Sequence, residues 1–372
     1  MKRAILIVIL LPFIATVNCF AFKSDLPTDT ILSRAMSAAE KYNELVENYI
    51  AEVYVRSYVE TIRKNFLYKY THLIPDFVLH DPENEDAVIE TISDLRYEYP
   101  NTYVQDIRHV TGTLTKKKDI DLIPFELLNI NIYGETTNDE SFFMPIRFST
   151  AKYYRYTLYQ SFTSNNKEYY NIHFVPIYEN PKLLKGSFIV EKGTWRVIFF
   201  RGEGLDIFSD FSFEMTMGDE WVTNYLPVNI TIYQTAAYLG NVLAGRHLAS
   251  INYKEIALRQ FQQPKGSLNI SNSYKVRLDS VPLHSDTLFW EKIRPIPLQA
   301  REIDVIERYH QQQITRENQR KTNDSLGNNR MAQHMAQRMV VNSSYRYKSA
   351  RFGYSGLLNP LMLGYSSRDG IT

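Results

Sequence analysis

Five carboxylates, Glu191, Glu203, Asp206, Asp210 and Glu214, fall within one stretch of alternating residues. Paired carboxylates can hydrolyse a glycosidic bond, one protonating the leaving oxygen while the other attacks or activates water. That chemistry depends on a separation in space that linear order does not supply, and surface carboxylates at strand ends are the plainer reading. A glycan-directed hydrolase is therefore ranked last among the functions considered. The eight histidines, at 72, 80, 109, 173, 247, 284, 310 and 334, include no HExxH or comparable ligand spacing. Arg201-Gly202-Glu203-Gly204 lacks the remainder of a phosphate-binding glycine motif. Gly353-Tyr354-Ser355-Gly356 misses a nucleophile elbow by one residue. No catalytic, cofactor or metal-ligating residue is assigned, and a non-enzymatic protein is expected.

The carboxylates lie in the most regular part of the chain, residues 152–233. Tyr170, Ile172 and Phe174 alternate with polar neighbours; Phe211, Phe213, Met215 and Met217 do the same. Gly-bearing turns such as Glu191-Lys192-Gly193-Thr194 separate such runs, which predicts consecutive antiparallel hairpins. Upstream, Leu32, Ala35, Ala39, Tyr42, Val46 and Tyr49 recur at three- and four-residue steps and predict a helix over 28–48. A β-branched run predicts a strand over 49–61. Asp81 to Asp86 reads as a solvated acidic turn, without the alternating ligands of a calcium loop.

After residue 260 the chain turns polar. The stretch to Asp279 reads as linker, and Asp286–Pro297 as an extended segment. A polar helix over 299–320 has the narrow stripe Ile303, Ile306, His310 and Ile314, which suits a surface position. A short helix is expected over 330–341. The fold class expected is mainly β (α+β): a curved antiparallel meander or half-barrel sheet packed on an N-terminal helix, then a polar linker with a surface helix.

Residues 1–21 have a basic start (Lys2, Arg3), an apolar run from Ala4 to Val17, and small residues Cys19 and Ala21 before a cut at Phe22. This is the pattern of a secretory signal, and the run is short for a membrane span. Lipidation of Cys19 is the competing reading, for which Asn18 is a poor match. The chain is expected in the periplasm or at the inner face of the outer membrane. Removal of the leader would remove the single cysteine, so stability would rest on burial rather than disulfides. With 42 basic and 41 acidic residues there is no electrostatic reason for a nucleic-acid partner. Tyrosine (27) and phenylalanine (20) against three tryptophans favour a sheet protein.

The segments YIAEVYVRSYVETIRKN (49–65), ISDLRYEYPNTYVQDI (92–107), KYYRYTLYQSF (152–162), GSFIVEKGTWRVIFF (186–200), WVTNYLPVNITI (221–232), DTLFWEKIRPIPL (286–298) and NPLMLGYSSRDGIT (359–372) carry a resemblance. Their order resembles an uncharacterised Bacteroidota envelope family, often found between a carboxypeptidase-regulatory-like domain and an outer-membrane β-barrel. The residues themselves give 1–21 as signal peptide, 22–260 as β domain and 261–345 as linker; the resemblance implies 346–372 as the start of a barrel. The last piece has room for two spanning strands at most and cannot close, so a truncated barrel is the favoured reading and a stand-alone periplasmic part the alternative. Asp-Ser/Thr-aliphatic tripeptides in this group's envelope proteins make Thr30, Ser280, Thr287 and Ser325 candidate O-glycosylation acceptors, with ordinary caps and turns the competing reading. The function expected is that of a periplasmic domain of an outer-membrane assembly or transport protein. Its partners would be outer-membrane or periplasmic proteins, reached through the concave face or an edge strand. The alternative is a carrier of an acyl chain or lipoprotein. A continuous cavity between the first helix and strands 152–233 would support a carrier; a core filled with rings would count against it.

Overall fold

The computed structural model describes residues 20–22, 26–43, 45–66, 86–99, 102–113, 142–205, 209–220, 223–238, 240–259, 273–278 and 287–325. It also describes short runs between 120 and 137 and strand pairs within 343–371. Residues 1–19 with Cys19, Asp206, Ser280 and the expected helix 330–341 lie outside the described residues. Two compact units divide the chain: residues 1–68 with 78–306, and 69–77 with 307–372.

The first unit is built on a curved, open sheet of twelve strands. In chain order its elements are β1 (Phe20–Phe22), α1 (Thr28–Asn43), β2 (Val46–Arg63), β3 (Asp86–Glu98), β4 (Thr102–Gly112) and the single turn α2 (Phe148–Ala151). Then come β5 (Tyr154–Ser164), β6 (Lys167–Pro176), β7 (Lys185–Glu191), β8 (Val197–Leu205), β9 (Ser209–Met217), β10 (Pro227–Tyr238), β11 (Asn241–Leu258) and β12 (Ser273–Arg277). The helices α3 (Thr287–Ile293) and α4 (Ala300–Ser325) follow. The strand order is β1-β5-β6-β7-β8-β9-β10-β11-β2-β3-β4-β12. The meander expected over 152–233 is the run β5 to β10, each strand antiparallel to the next. The sheet continues well beyond it, because β11 turns back beside β10 and pairs on its far side with β2 over the length of both strands.

Alternation decides which residues fill the inner face. Tyr170, Ile172, Phe174, Phe188, Val190, Phe200, Phe213 and Met215 are buried there in one cluster with Ile31, Leu32, Ala35, Met36 and Ala39 of α1. The rings stack across strands: Phe174 on Phe200 at 5.7 Å and Phe200 on Phe213 at 5.5 Å between centroids. Gly186 and Gly202 face each other across β7–β8. A Cβ at Gly202 would lie 2.7 Å from the Phe213 ring, so the glycine makes room for an aromatic layer. Residues between 120 and 146, among them Ile123, Leu128, Ile132 and Met144, join the same core.

Several expectations need correction. The first helix ends at Asn43 rather than 48, and the strand begins at Val46 rather than 49. Val46 and Tyr49 are buried as the helical stripe required, but from the strand, where a bulge between Val46 and Asn48 in the pairing with β11 brings these residues, three apart, to the same core. Ser273–Arg277, read as linker, is a strand parallel to β4. Thr287–Ile293, read as extended, is a helix that stops at the residue before Arg294-Pro295, where proline disfavours helical backbone. In α4 the buried residues are Glu302, Val305 and Tyr309, while Ile303 and Ile314 are exposed. The buried line 302, 305 and 309 runs one residue before the expected one, and its charged first member hid it.

Candidate functional site

The loop after β6 (176–183) meets the ends of β8, β9 and β10 around a groove of approximately 940 Å3. Its apolar lining includes Ile177 (49% exposed), Tyr178 (50%), Leu205 (61%) and Tyr233 (44%), with Phe211 deeper. Lys185, Glu203, Glu179, Asp210 and Ser212 add polar groups. Ser212, Tyr233 and Thr235 alternate with the buried Phe213 and Ile232, so the sheet's outward-facing residues supply part of the groove. Exposed apolar residues gathered in a concavity of this size are the usual form of a binding site.

The interior offers much less room. Between Tyr49, Tyr97, Tyr103, Tyr253 and the segment around Ile130 a space of about 60 Å3 remains. Tyr49 stacks on Tyr97 at 5.0 Å and meets Tyr253 edge-on at 5.2 Å. Burial pushes the Tyr49 hydroxyl well above its ordinary pKa, with the neighbouring tyrosines adding to the effect. The space between α1 and the meander, where the carrier reading places an acyl chain, is occupied by the phenylalanine layer.

The carboxylates singled out from sequence separate into different roles. Glu191 is buried and accepts from Arg196 Nε at 2.8 Å and Thr194 Oγ1 at 2.9 Å, with Lys167 Nζ at 2.5 Å. Burial alone would raise its pKa; the hydrogen bonds from Lys167, Arg196 and Thr194 more than offset this and hold it below the usual carboxylate range. Arg196 Nη1 also donates to the carbonyls of Gly218 and Asn224, both at 2.8 Å. This group fastens the β7–β8 turn to the loop before β10. Glu203 and Asp210 do come together as groove residues. Glu203, however, is taken up in ion pairs, 3.0 Å from Arg201 Nη2 and 3.5 Å from Lys185 Nζ. Glu214 pairs with Arg201 at 3.6 Å.

His247 is buried beside Ser57, with Nδ1 2.8 Å from Oγ, and burial lowers its pKa to about 4. Ser57 is itself fully buried, so no substrate reaches this serine–histidine pair. His109 packs on Phe289 and His173 on Tyr159. Among the described residues no group of three or more His, Cys, Asp or Glu is placed to hold a metal. Of the candidate acceptors, Thr30 is half-buried in the first turn of α1, Thr287 opens α3, and Ser325 ends α4.

Sequence reasoning did not find the second feature, a polar clasp on the outer face. Glu90 of β3 is fully buried and accepts from Arg294 Nε at 2.8 and 3.1 Å and from Nη2 at 2.7 Å. It also accepts from Tyr54 Oη at 2.5 Å. Arg56 Nη1 donates to the carbonyls of Ile296 and Pro297 at 3.1 and 3.0 Å, and its Nε lies 3.4 Å from Glu302. The signal was the Phe289-Trp290 pair followed by Arg294-Pro-Ile-Pro-Leu298, an unusual run for a solvated linker.

Comparison with known proteins places the chain beside one family profile, described as Family of unknown function (DUF5686), over residues 31–254. No curated protein matches. Among solved structures, a LolA superfamily protein from Nitrosomonas europaea is 12% identical, with a TM-score of 0.23, covering 61% of this chain and 94% of that one. A DUF1329 family protein from Desulfovibrio piger is 7% identical, with a TM-score of 0.24, covering 64% and 95%. A chain of the Pseudomonas aeruginosa MucA/MucB complex is 7% identical, with a TM-score of 0.19, covering 60% and 93%. Scores of this size support no inference about function.

Proposed function

The chain belongs to that family of unknown function, and from this premise we propose that it is a non-enzymatic protein of the cell envelope, the periplasmic domain of an outer-membrane assembly or transport-type protein. Its sheet holds an apolar segment of another envelope component, an acyl chain free or on a lipoprotein, in the groove around Ile177 and Tyr233. The groove itself is the observation that supports this reading: its volume lies in the range of ligand sites, and Ile177, Tyr178, Leu205 and Tyr233 in its lining are exposed. The phenylalanine layer among the described residues supports a ligand at the sheet's end rather than under α1. Polar groups such as Lys185 and Ser212 would meet a headgroup or backbone at the groove's margin.

Titration with a fluorescent acyl probe such as dansyl-undecanoate tests the reading. Leu205→Asp with Tyr233→Asp removes exposed apolar surface without touching the core. The pair should weaken binding by roughly tenfold or more, since each buried apolar side chain contributes about 1.5–3 kcal/mol. Absent binding, or binding indifferent to both substitutions, would refute it. Release of reducing sugar from cell-wall glycan, lost in Glu203→Gln and Asp210→Asn, would instead establish the hydrolase.

A further inference from the structure

The outer face of the sheet has a hydrophobic cluster of its own. Tyr54 of β2, Ile92 of β3 and Trp290 of α3 form it, with Phe289 packed against them, and none of the four belongs to the main core. Arg56 and Glu90 stand opposite each other in the β2–β3 register beside this cluster. Each turns to the segment that crosses them: Glu90 to Arg294, Arg56 to the 296 and 297 carbonyls and to Glu302. Trp290 and Arg294 lie one turn apart, the Arg294 N–H donating to the Trp290 carbonyl at 3.1 Å, so both reach the sheet from one side of α3. Glu302 also accepts from the Gln299 N–H at 2.7 Å, which fixes the start of α4. The residues between these anchors, Glu291, Lys292, Ile293 and Pro295, are exposed.

We propose that residues 287–302 are a self-ligand: a strap that docks on, and detaches from, a preformed recognition seat formed by Tyr54, Arg56, Glu90 and Ile92. The chemistry the seat recognises is a helical turn with tryptophan and arginine four residues apart, followed by an extended proline-bearing segment. Three observations support detachment without loss of the sheet. The strap contributes nothing to the main cluster. Its departure leaves Arg56 opposite Glu90, close enough to neutralise each other in water. Its hold is the buried Trp290 with Phe289, two Arg–carboxylate pairs and two Arg56–carbonyl hydrogen bonds, and a buried ion pair adds little net stability over its separated, solvated charges. The strap is thus the low-stability end of the fold, and its release would bare an aromatic, charged surface for the same motif on a second polypeptide. This inference does not depend on the groove binding a ligand.

Amide hydrogen exchange on the full chain tests it. In the wild type, 287–302 should open at lower denaturant than β5–β10. Arg294→Glu should speed exchange across 287–302 by roughly 100-fold or more while 154–238 keeps its protection. The charge swap Glu90→Arg with Arg294→Glu should recover protection to within about tenfold of wild type. A labelled peptide of residues 286–303 should then bind the Arg294→Glu chain, whose seat is free and intact. It should bind neither wild type, whose tethered strap outcompetes it, nor Glu90→Arg. Common opening of strap and sheet, unfolding of β5–β10 in Arg294→Glu, unchanged strap exchange, or failure of the peptide to bind the folded Arg294→Glu chain would each overturn the proposal.

Discussion

His247 offers a direct reading of how dry the inner face of β2 and β11 is. Its imidazole is buried, accompanied by Ser57, and its pKa falls from 6.5 to about 4 through loss of hydration. In the unfolded chain the ring binds a proton near pH 6.5, whereas in the folded chain it stays neutral until about pH 4. The unfolded state therefore holds more protons across that window, so stability falls as the pH is lowered through it. His247 contributes its full share above pH 6.5 and loses it by about pH 4. Each pH unit of difference corresponds to about 1.4 kcal/mol, which gives a loss on the order of 3 kcal/mol. His247→Asn keeps a polar atom near the position of Nδ1 and cannot titrate. Urea unfolding of both proteins at pH 7.5, 6, 5 and 4 isolates the effect. The wild type should lose about 3 kcal/mol relative to His247→Asn between the two extremes. A difference between the proteins that does not change with pH would show that the imidazole titrates as it does in water, and the reasoning would fail.

Other substitutions test other parts of the structure. Gly186→Ala would place a Cβ 2.0 Å from the Arg201 carbonyl oxygen, a backbone atom that cannot rotate away. A loss of about 1–3 kcal/mol or more in chemical denaturation is expected. Arg196→Met leaves Glu191 buried with fewer donors and frees the Gly218 and Asn224 carbonyls. About 3–5 kcal/mol should be lost at pH 7, and unfolding curves equal to wild type would refute the role assigned to this pair. Trp290→Ala should lower strap protection in hydrogen exchange while leaving the main thermal transition of the sheet nearly unchanged.

The fold was legible where alternation is strict and the turns are short. Tyr170–Phe174 and Phe211–Met217 point to the inner face as their period requires, and the hairpins between them follow. Boundaries were less legible: Val46 and Tyr49 have a helical spacing, and they reach one core from a strand only through the bulge in the β2–β11 pairing, which alternation does not announce. Ile123, Leu128, Ile132 and Met144 lie in a stretch with no clear period, so their place in the main core was invisible. The clasp was hidden because it depends on charges. Arg56 and Glu90 sit in strands that look half-solvated, and their partners lie more than 200 positions away in sequence. The groove arises from a loop and three strand ends meeting in space, for which one-dimensional patterning holds no signal.

Photo-crosslinking with a diazirine-bearing fatty acid, followed by peptide mapping, tests the central claim most directly. Adducts on 176–183, Leu205 and Tyr233 are the predicted result. Labelling concentrated on α1 and the Phe174–Phe200–Phe213 layer, or no saturable labelling, would contradict the account.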